Sequence, residues 1–305
     1  MKIQRFFHFK NRWWQDRYDG WRVNKVDAVF RVIPYFLRTR IDAQNFFEER
    51  VPISHLEQFI KEHKEQIPGL SIMHIVIAAL VRLVSQRPSI NRFVVWNKIF
   101  ARKHLNFSLV VKRSLTDDGE ETLIKPEFDL KDTIADVVKK VQIELDNNQQ
   151  VGQQNNSDQI SKIMGFMPDF LLRFVVWCLF WLDKIGLMPK LIYRASPWHC
   201  SIFLTNIGSI GAESIYHHLY EFGTCSMFVA MGKKSRENIL EKDGDISEQK
   251  SIVLKFVLDE RICDGFYYAS SMRMFNKILL NPSVLLTPPE SVAVDAGVDS
   301  TRADV

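Results

Sequence analysis

Apolar residues follow two alternating periods along this chain, and the alternation begins near Ile53. Across residues 71–86 they recur every three or four positions, as on a helix with one buried face. Across residues 105–111 every second residue is apolar, as on a strand with one buried face. Helices and strands that alternate in this way predict an α/β fold.

Further elements follow from local signals. Ser54 is a predicted N-cap of a helix that ends before Pro68, and Asp132 or Thr133 caps a helix that follows. The last third predicts three strands, over residues 201–206, 226–232 and 252–258, and a final helix over residues 266–280. No glycine-rich phosphate loop follows a strand, which disfavours nucleotide-binding folds.

Composition is that of an ordinary globular protein. The 305 residues are 46% hydrophobic and 25% charged, so a sizeable core can form without disulfides. The net charge of +4 is mild and does not indicate a nucleic-acid partner. The four cysteines form no C-x-x-C pair, which argues against a zinc site and favours the reducing cytoplasm, and we expect no metal.

The two ends differ from the middle of the chain. Residues 1–25 are basic and aromatic without the apolar core of a secretory signal, and we predict an N-terminal arm that packs on the domain or a neighbouring subunit. The alternative for this arm is contact with a membrane surface or an anionic ligand. Residues 287–305 are rich in proline, small and acidic residues, and we predict disorder there. The domain itself is expected over residues 26–286.

The most apolar run covers residues 170–182, with Arg173 inside it and Asp183 after it. It is too short to span a bilayer comfortably. We predict a buried or interface helix, covered by protein or by lipid because it is apolar on nearly every side.

Three motifs in the last third carry a family resemblance. The first runs from Thr205 to Gly211 with the sequence TNIGSIG, and a predicted strand containing Gly232 follows it. The second runs from Asp259 to Gly265 with the sequence DERICDG, and the third is NPSVLL at residues 281–286. In order and spacing they resemble the catalytic domain of dihydrolipoyl acyltransferases of 2-oxo acid dehydrogenase complexes, whose fold chloramphenicol acetyltransferase shares.

The resemblance covers about residues 31–286 and implies a fold and an activity. The expected fold is a two-layer α/β sandwich of chloramphenicol-acetyltransferase type, with a mixed sheet and helices on one face. The expected activity is acyl transfer with CoA or acyl-CoA as substrate, in a homotrimer with active sites at subunit interfaces. No pattern of a lipoyl or subunit-binding domain is present, so we expect no covalent lipoyl group and either free acyl-CoA or a separate acyl carrier as partner.

The resemblance also implies roles for individual residues. Thr205 corresponds to the hydroxyl that stabilises the oxyanion, and Asp264 to the aspartate that organises the site. Glu260 stands where the family places a histidine as general base. The expected substrate-binding positions are Arg38, Arg40, Asn206, Gly208 and Gly265, with either arginine as the predicted partner of Asp264.

The base itself stays open at this point. A glutamate with a pKa near ~4.3 is poorly matched to a thiol near ~8.5, although burial raises a carboxyl pKa. His217 or His218, which follow the Thr205 motif, is the alternative base. We therefore predict an acyltransferase with an altered base. The rivals are a catalytically silent relative that binds a ligand or assembles with a partner, and a peripheral membrane protein that acts on lipid acyl chains.

Overall fold

The computed structural model describes residues 15–112, 121–148, 162, 164–240 and 243–299. Everything stated below refers to these residues. Residues 1–14, with most aromatics of the predicted N-terminal arm, lie outside them. Residues 15–25 do pack on the domain, since Trp21 is buried.

A seven-stranded mixed sheet forms the centre of the domain. Its strands run in the order β2, β10, β9, β8, β5, β6, and β7 pairs with β5. The pairs β5–β8 and β8–β9 are parallel and the others antiparallel. The bounds are Gln44–Pro52 (β2), Leu105–Lys112 (β5), Glu121–Ile124 (β6), Glu127–Phe128 (β7), Ile202–Asn206 (β8), Met227–Leu240 (β9) and Ile246–Asp259 (β10).

A second, three-stranded sheet in the order β1, β4, β3 closes one end of the domain. Its strands are Gly20–Arg22 (β1), Arg92–Val95 (β3) and Lys98–Arg102 (β4). The β3–β4 hairpin turns at Trp96 and Asn97, whose φ angles are 48° and 58°. Left-handed conformation at both central residues is the geometry of a type I′ hairpin turn.

Seven helices lie wholly within the described ranges, and four of them share one face of the large sheet. Their bounds are Ala28–Phe36 (α1), Ser54–His63 (α2), Ile72–Gln86 (α3), Ile134–Asn148 (α4), Asp169–Lys184 (α5), Lys190–Ala195 (α6) and Gly265–Leu280 (α7). Helices α2, α3, α4 and α7 pack with the inward residues of the strands into one large core. This confirms the predicted two-layer α/β sandwich.

The opposite face of the sheet carries a smaller core. Phe203, Phe228 and Val257 lie there beside Leu219 and Cys225 of the segment that precedes β9. Because side chains alternate along a strand, Phe203 and Thr205 of β8 belong to this face, whereas Leu204 belongs to the helix-covered one. Helix α5 lies on this side, with Phe180 against Phe222 at 4.9 Å between ring centroids.

The predicted elements differ from the structure mainly at their ends. β9 and β10 extend well beyond the predicted residues 226–232 and 252–258, because their outer halves form a polar hairpin with no apolar alternation to reveal it. Ser54 is the first residue of α2 rather than its N-cap, which is Ile53. Thr133, one of the two predicted caps, accepts from the Asp136 amide and donates to its carboxylate.

Residues 287–299 correct the prediction of a disordered tail. The Arg92 guanidinium binds the Asp295 carboxylate through Nε at 2.7 Å and through Nη2, and both side chains are buried. Val298 is 3% exposed, and the Ala293 amide donates to the carbonyl of Ser85. Composition alone was misleading here because a buried ion pair, an apolar residue and several hydrogen bonds to the backbone hold the segment on the domain.

The prediction of a helix over residues 170–182 is confirmed, whereas its burial within the chain is not, so an interface covered by protein or by lipid stays a prediction. These residues lie in α5, and its outward side exposes a row of aromatic residues. Phe170, Phe174, Trp177 and Trp181 are between 43% and 77% exposed. Among the described helices, none combines the length and the apolarity that crossing a membrane requires.

Candidate active site

The Thr205 motif forms a tight turn at the end of β8. Thr205 and Asn206 pair with Ala230 and Met231 of β9, and a short 3₁₀ helix over Ile207–Ile210 follows. Thr205 is partly accessible, on the sheet face opposite the helices. Thr205 therefore lies next to the turn and is partly exposed to solvent.

Two glycines make this turn possible. A Cβ on Gly208 would lie 2.3 Å from the carbonyl oxygen of Gly232, and one on Gly232 would lie 2.6 Å from the Ser214 amide nitrogen. Backbone therefore packs directly on backbone, which only glycine permits. The same turn borders a cleft of about 350 Å³ whose lining includes Asn206, Gly208 and Lys233.

The second motif places Glu260 inside a rigid frame. The Asp259 carboxylate accepts hydrogen bonds from Nε of Arg261 at 2.8 Å and from Nη2 at 2.7 Å, and both residues are buried. Glu260 itself is half-buried, and its amide donates to the carbonyl of Ala43 at 2.8 Å. The backbone at Glu260 is thus fixed on both sides, and the residue is partly exposed to solvent.

Arg40 does not take the predicted Asp264 as its partner. It is 2% exposed, its Nε lies 3.9 Å from Asp259, and its guanidinium donates to the carbonyls of Tyr220, Glu221 and Val94. Arg38 remains exposed at the edge of a second, polar cleft. Both arginines lie near the DERICDG motif, but Arg40 forms its ion pair with Asp259, the first residue of the motif.

Asp264 has another local role in the chain. It is exposed and is the N-cap of α7, where its carboxylate accepts the amide of Tyr267 at 2.7 Å. Gly265 begins the helix, and a Cβ there would meet no atom within 4 Å. An aspartate at this position stabilises the helix start both by accepting a free amide and by its charge.

Thr205 and Glu260 do not meet within one chain. Thr205 pairs with Ala230, whereas Leu258 pairs with Met227 of the same strand. Thr205 and Leu258 are therefore separated by ~10 Å along β9, at ~3.3 Å per residue. A further ~10 Å separates them across the sheet, which corresponds to two strand spacings. Glu260 lies still further from Thr205 than Leu258 does.

His217 lies closer to the Thr205 face. Its ring stacks on Phe228 with a centroid distance of 4.1 Å and an interplanar angle of 2°, and Phe228 pairs with Phe203 of β8. His218 is exposed and stacks on the His217 ring, with a centroid distance of 4.9 Å. Of the vicinal pair, His217 is thus the one held over the sheet face that carries Thr205.

Sequence reasoning missed a buried polar group near α5. Asp183, Ser196 and His199 come together there with Arg17, and each is at most 6% exposed. No spacing motif links these positions, since Arg17 and Asp183 are distant in the chain. The only sequence signal is an isolated histidine three residues after a serine.

A match to a known protein family covers the part of the chain that contains these motifs. Residues 199–287 match the family described as 2-oxoacid dehydrogenases acyltransferase (catalytic domain). No curated protein matches the chain in sequence.

Solved structures share the fold over most of the chain. A probable dihydrolipoamide acetyltransferase from Listeria monocytogenes has a TM-score of 0.51 at 12% identity, covering 84% of this chain and 92% of its own. A truncated catalytic core of the 2-oxoacid dehydrogenase multienzyme complex from Thermoplasma acidophilum has a TM-score of 0.51 at 12% identity, covering 85% and 97%. A chloramphenicol acetyltransferase gives a TM-score of 0.46 at 10% identity, with 80% and 92% covered.

The family match contains both the Thr205 turn and the Glu260 motif, and the solved structures extend the likeness in fold to the rest of the domain. Over residues 199–287 the sequence therefore matches the acyltransferase catalytic domain of 2-oxoacid dehydrogenases, and the fold of that domain extends over 84% to 85% of the chain.

Proposed function

We propose that the protein transfers an acyl group between CoA, or another pantetheine or lipoyl thioester, and an acceptor. The observation that carries this proposal is that one family match spans both the hydroxyl-bearing turn at Thr205 and the motif around Glu260. Thr205 stabilises the oxyanion of the tetrahedral intermediate, because a donor placed where negative charge develops lowers the barrier. The four cysteines are free, which fits the reducing cytoplasm that we propose for it.

The base acts from one of two positions. His217 is supported by its place over the Thr205 face and by the ability of an imidazole to accept and return a proton. Glu260 is the second candidate, since the buried Asp259–Arg261 pair fixes its backbone. Because Thr205 and Glu260 are separated within one chain, the Glu260 alternative needs the turn of a second copy, in the trimer that we propose.

A thiol-detecting assay with a panel of acyl-CoAs tests the activity. We expect turnover by the full chain and at least a ~100-fold loss in the variant that removes the base, the typical contribution of general base catalysis. His217→Ala is compared with Glu260→Ala, and His218→Ala serves as the matched control. Sedimentation equilibrium tests the trimer, which predicts three times the 35.6 kDa of the chain.

The same assay distinguishes an active acyltransferase from a catalytically silent relative. If the protein binds CoA, consumes no acyl-CoA, and gains turnover only as Glu260→His, then the transfer activity proposed for the natural chain is wrong. In that case the chain is a ligand-binding or assembly protein that lost its base. Turnover that survives both His217→Ala and Glu260→Ala would contradict both assignments of the base.

The outward face of α5 favours a second candidate role at a lipid surface. Its exposed row of Phe170, Phe174, Trp177 and Trp181 shares the helix with two exposed basic residues, Arg173 and Lys184, and with Asp169 as its exposed acidic residue. Aromatic residues beside lysine and arginine are typical of surfaces that bind anionic bilayers. We propose that this face contacts such a bilayer.

Co-sedimentation with phosphatidylserine vesicles tests the contact. The full chain is expected to bind, and the double variant Phe174→Ser, Trp177→Ser is expected to lose binding at least tenfold. Phe266→Ser is the control, because Phe266 is an even more exposed aromatic residue on α7, a different helix from this row. Equal sedimentation with phosphatidylcholine vesicles would show that the contact does not depend on the negative charge of the lipid. No sedimentation with either type of vesicle would contradict the proposed contact.

A further inference from the structure

A hydrophobic cavity of about 610 Å³ lies beneath α5, on the side opposite its exposed aromatic row. Val176 and Leu179 line it from the helix, and Trp198 and Phe222 line it from the segments beside β8 and β9. Its lining also includes the exposed Gly165, so the cavity reaches the surface. This volume is in the range of small-molecule sites, which are mostly apolar with a few placed polar groups.

The lining is almost entirely apolar in character. Among the described residues that line it, the hydroxyl and carboxyl groups are those of Ser196, Tyr220 and Glu221. Two of these three already have partners. Ser196 Oγ lies 2.7 Å from Nδ1 of His199, and the Glu221 carboxylate accepts the Arg40 amide at 2.8 Å. Because a buried polar group without a hydrogen bond is costly, the cavity favours an aliphatic segment over a polar molecule.

The cavity borders the sheet face that carries Thr205. Leu109 of β5 pairs with Leu204 of β8, and the same register sets Val110 beside Thr205. Val110 in turn pairs with Leu123 of β6, which lines the cavity. Thr205, Val110 and Leu123 therefore lie at one level on three neighbouring strands. Two strand spacings separate Thr205 from Leu123, which is about 10 Å.

Val110 and Leu123 form an apolar path from Thr205 to the cavity. Both pack on the smaller core of this sheet face, and both are partly exposed, as Thr205 is. An extended aliphatic chain advances about 1.25 Å per carbon, so about eight carbons reach from the level of Thr205 to that of Leu123. Any further carbons of the chain would enter the cavity under α5.

We propose that this cavity binds the far end of the acyl chain, so that the substrate class is thioesters of unbranched aliphatic acids longer than about eight carbons. The inference rests on the acyl transfer proposed at Thr205 and names the substrate class of that reaction. The cavity holds the chain and takes no part in bond formation. Shorter acyl groups end on the path between Thr205 and Leu123.

Binding of S-alkyl-CoA thioethers tests the cavity without turnover, because a thioether has no acyl group to transfer. Titration calorimetry of the full chain compares S-butyl-CoA with S-dodecyl-CoA, below the concentration at which the longer compound forms micelles. Each methylene removed from water raises affinity by about fourfold. Since about four carbons of the dodecyl chain reach the cavity, we expect S-dodecyl-CoA to bind at least ~100-fold more tightly.

A tryptophan placed in the cavity should remove this preference. Val176→Trp fills the space beside α5 and is expected to weaken S-dodecyl-CoA at least ~10-fold, the effect of returning about two methylenes to water. It should leave the affinity for S-butyl-CoA unchanged, which also shows that the variant is folded. Leu191→Trp is the matched control, because Leu191 is 59% exposed and precedes the lining residue Ile192 without lining the cavity. Both affinities should be unchanged in it.

The chain-binding inference and the proposed acyl transfer fail separately. Equal affinities for the two thioethers, or a preference for S-dodecyl-CoA that survives Val176→Trp, overturn the inference and leave acyl transfer from CoA standing. Dodecanoate, as a third probe, separates the chain from its carrier. If dodecanoate binds and Val176→Trp abolishes its binding, while neither thioether binds, then a CoA thioester is not the source of the chain. That result overturns the inferred substrate class and contradicts CoA as the acyl donor.

Discussion

The Arg261 guanidinium donates two hydrogen bonds, of 2.8 and 2.7 Å, to the Asp259 carboxylate, and both side chains are buried. Arg40 approaches the same carboxylate to 3.9 Å, so one aspartate balances two buried guanidinium groups. These contacts fix the chain immediately before and after Glu260, and they connect the start of the domain to the end of β10.

Removing this carboxylate should destabilise the fold strongly. Asp259→Ala leaves Arg40 and Arg261 buried without a counter-charge, and the loss expected from breaking a buried ion pair is about 3–5 kcal/mol in the free energy of unfolding. Urea denaturation followed by circular dichroism measures it. Glu248→Ala is the control, because its pair with Arg236 is exposed and should change stability by less than ~1 kcal/mol. Equal effects of the two substitutions would contradict the role given to Asp259.

The glycines of the two motifs should respond differently to alanine. Gly208→Ala places a methyl group 2.3 Å from the Gly232 carbonyl oxygen, and overpacking of this kind costs about 1–3 kcal/mol. Gly265→Ala meets open space at the start of α7 and should leave thermal stability unchanged or slightly higher. Thermal unfolding of both variants checks this contrast, which a similar drop in melting temperature would refute.

Residues 287–299 should contribute to stability although they lie after the last helix. Ending the chain at residue 286 removes Asp295 and leaves Arg92 buried and unpaired, so we expect a loss of about 3 kcal/mol. Arg92→Ala combined with this truncation should lose little more, because both changes break the same pair. Chemical denaturation of the single and combined variants measures the coupling, and fully additive losses would argue against it.

Acid should destabilise the protein partly through His74. Burial lowers the pKa of His74 from 6.5 to about 4, so the unfolded chain binds a proton in this interval that the folded chain does not. The stability of the neutral form is complete above pH 6.5 and is lost as the pH falls towards 4, by about 3 kcal/mol. In His74→Leu that part of the slope should be missing. Unfolding curves at pH 7 and pH 4.5 give the difference, and parallel pH profiles would exclude His74 as its source.

Local periodicity predicted α3, α7, β5 and β8 because each is defined by apolar residues spaced along a few turns or one strand. It failed for the outer halves of β9 and β10, where backbone pairing alone holds two polar strands together. For α5 the sequence predicted the helix but not its exposed side, since a helix that is apolar on nearly every side does not reveal which side faces protein.

The sequence by itself determined the α/β class, the two motifs around Thr205 and Glu260, and the family that they resemble. It could do so because these signals are local spacings of residue types. Only the tertiary structure decided that Arg40 pairs with Asp259 and that Asp183, Ser196 and His199 converge beside a hydrophobic cavity. Such contacts join residues far apart in the chain, and their energy comes from burial that exists only after the chain has folded.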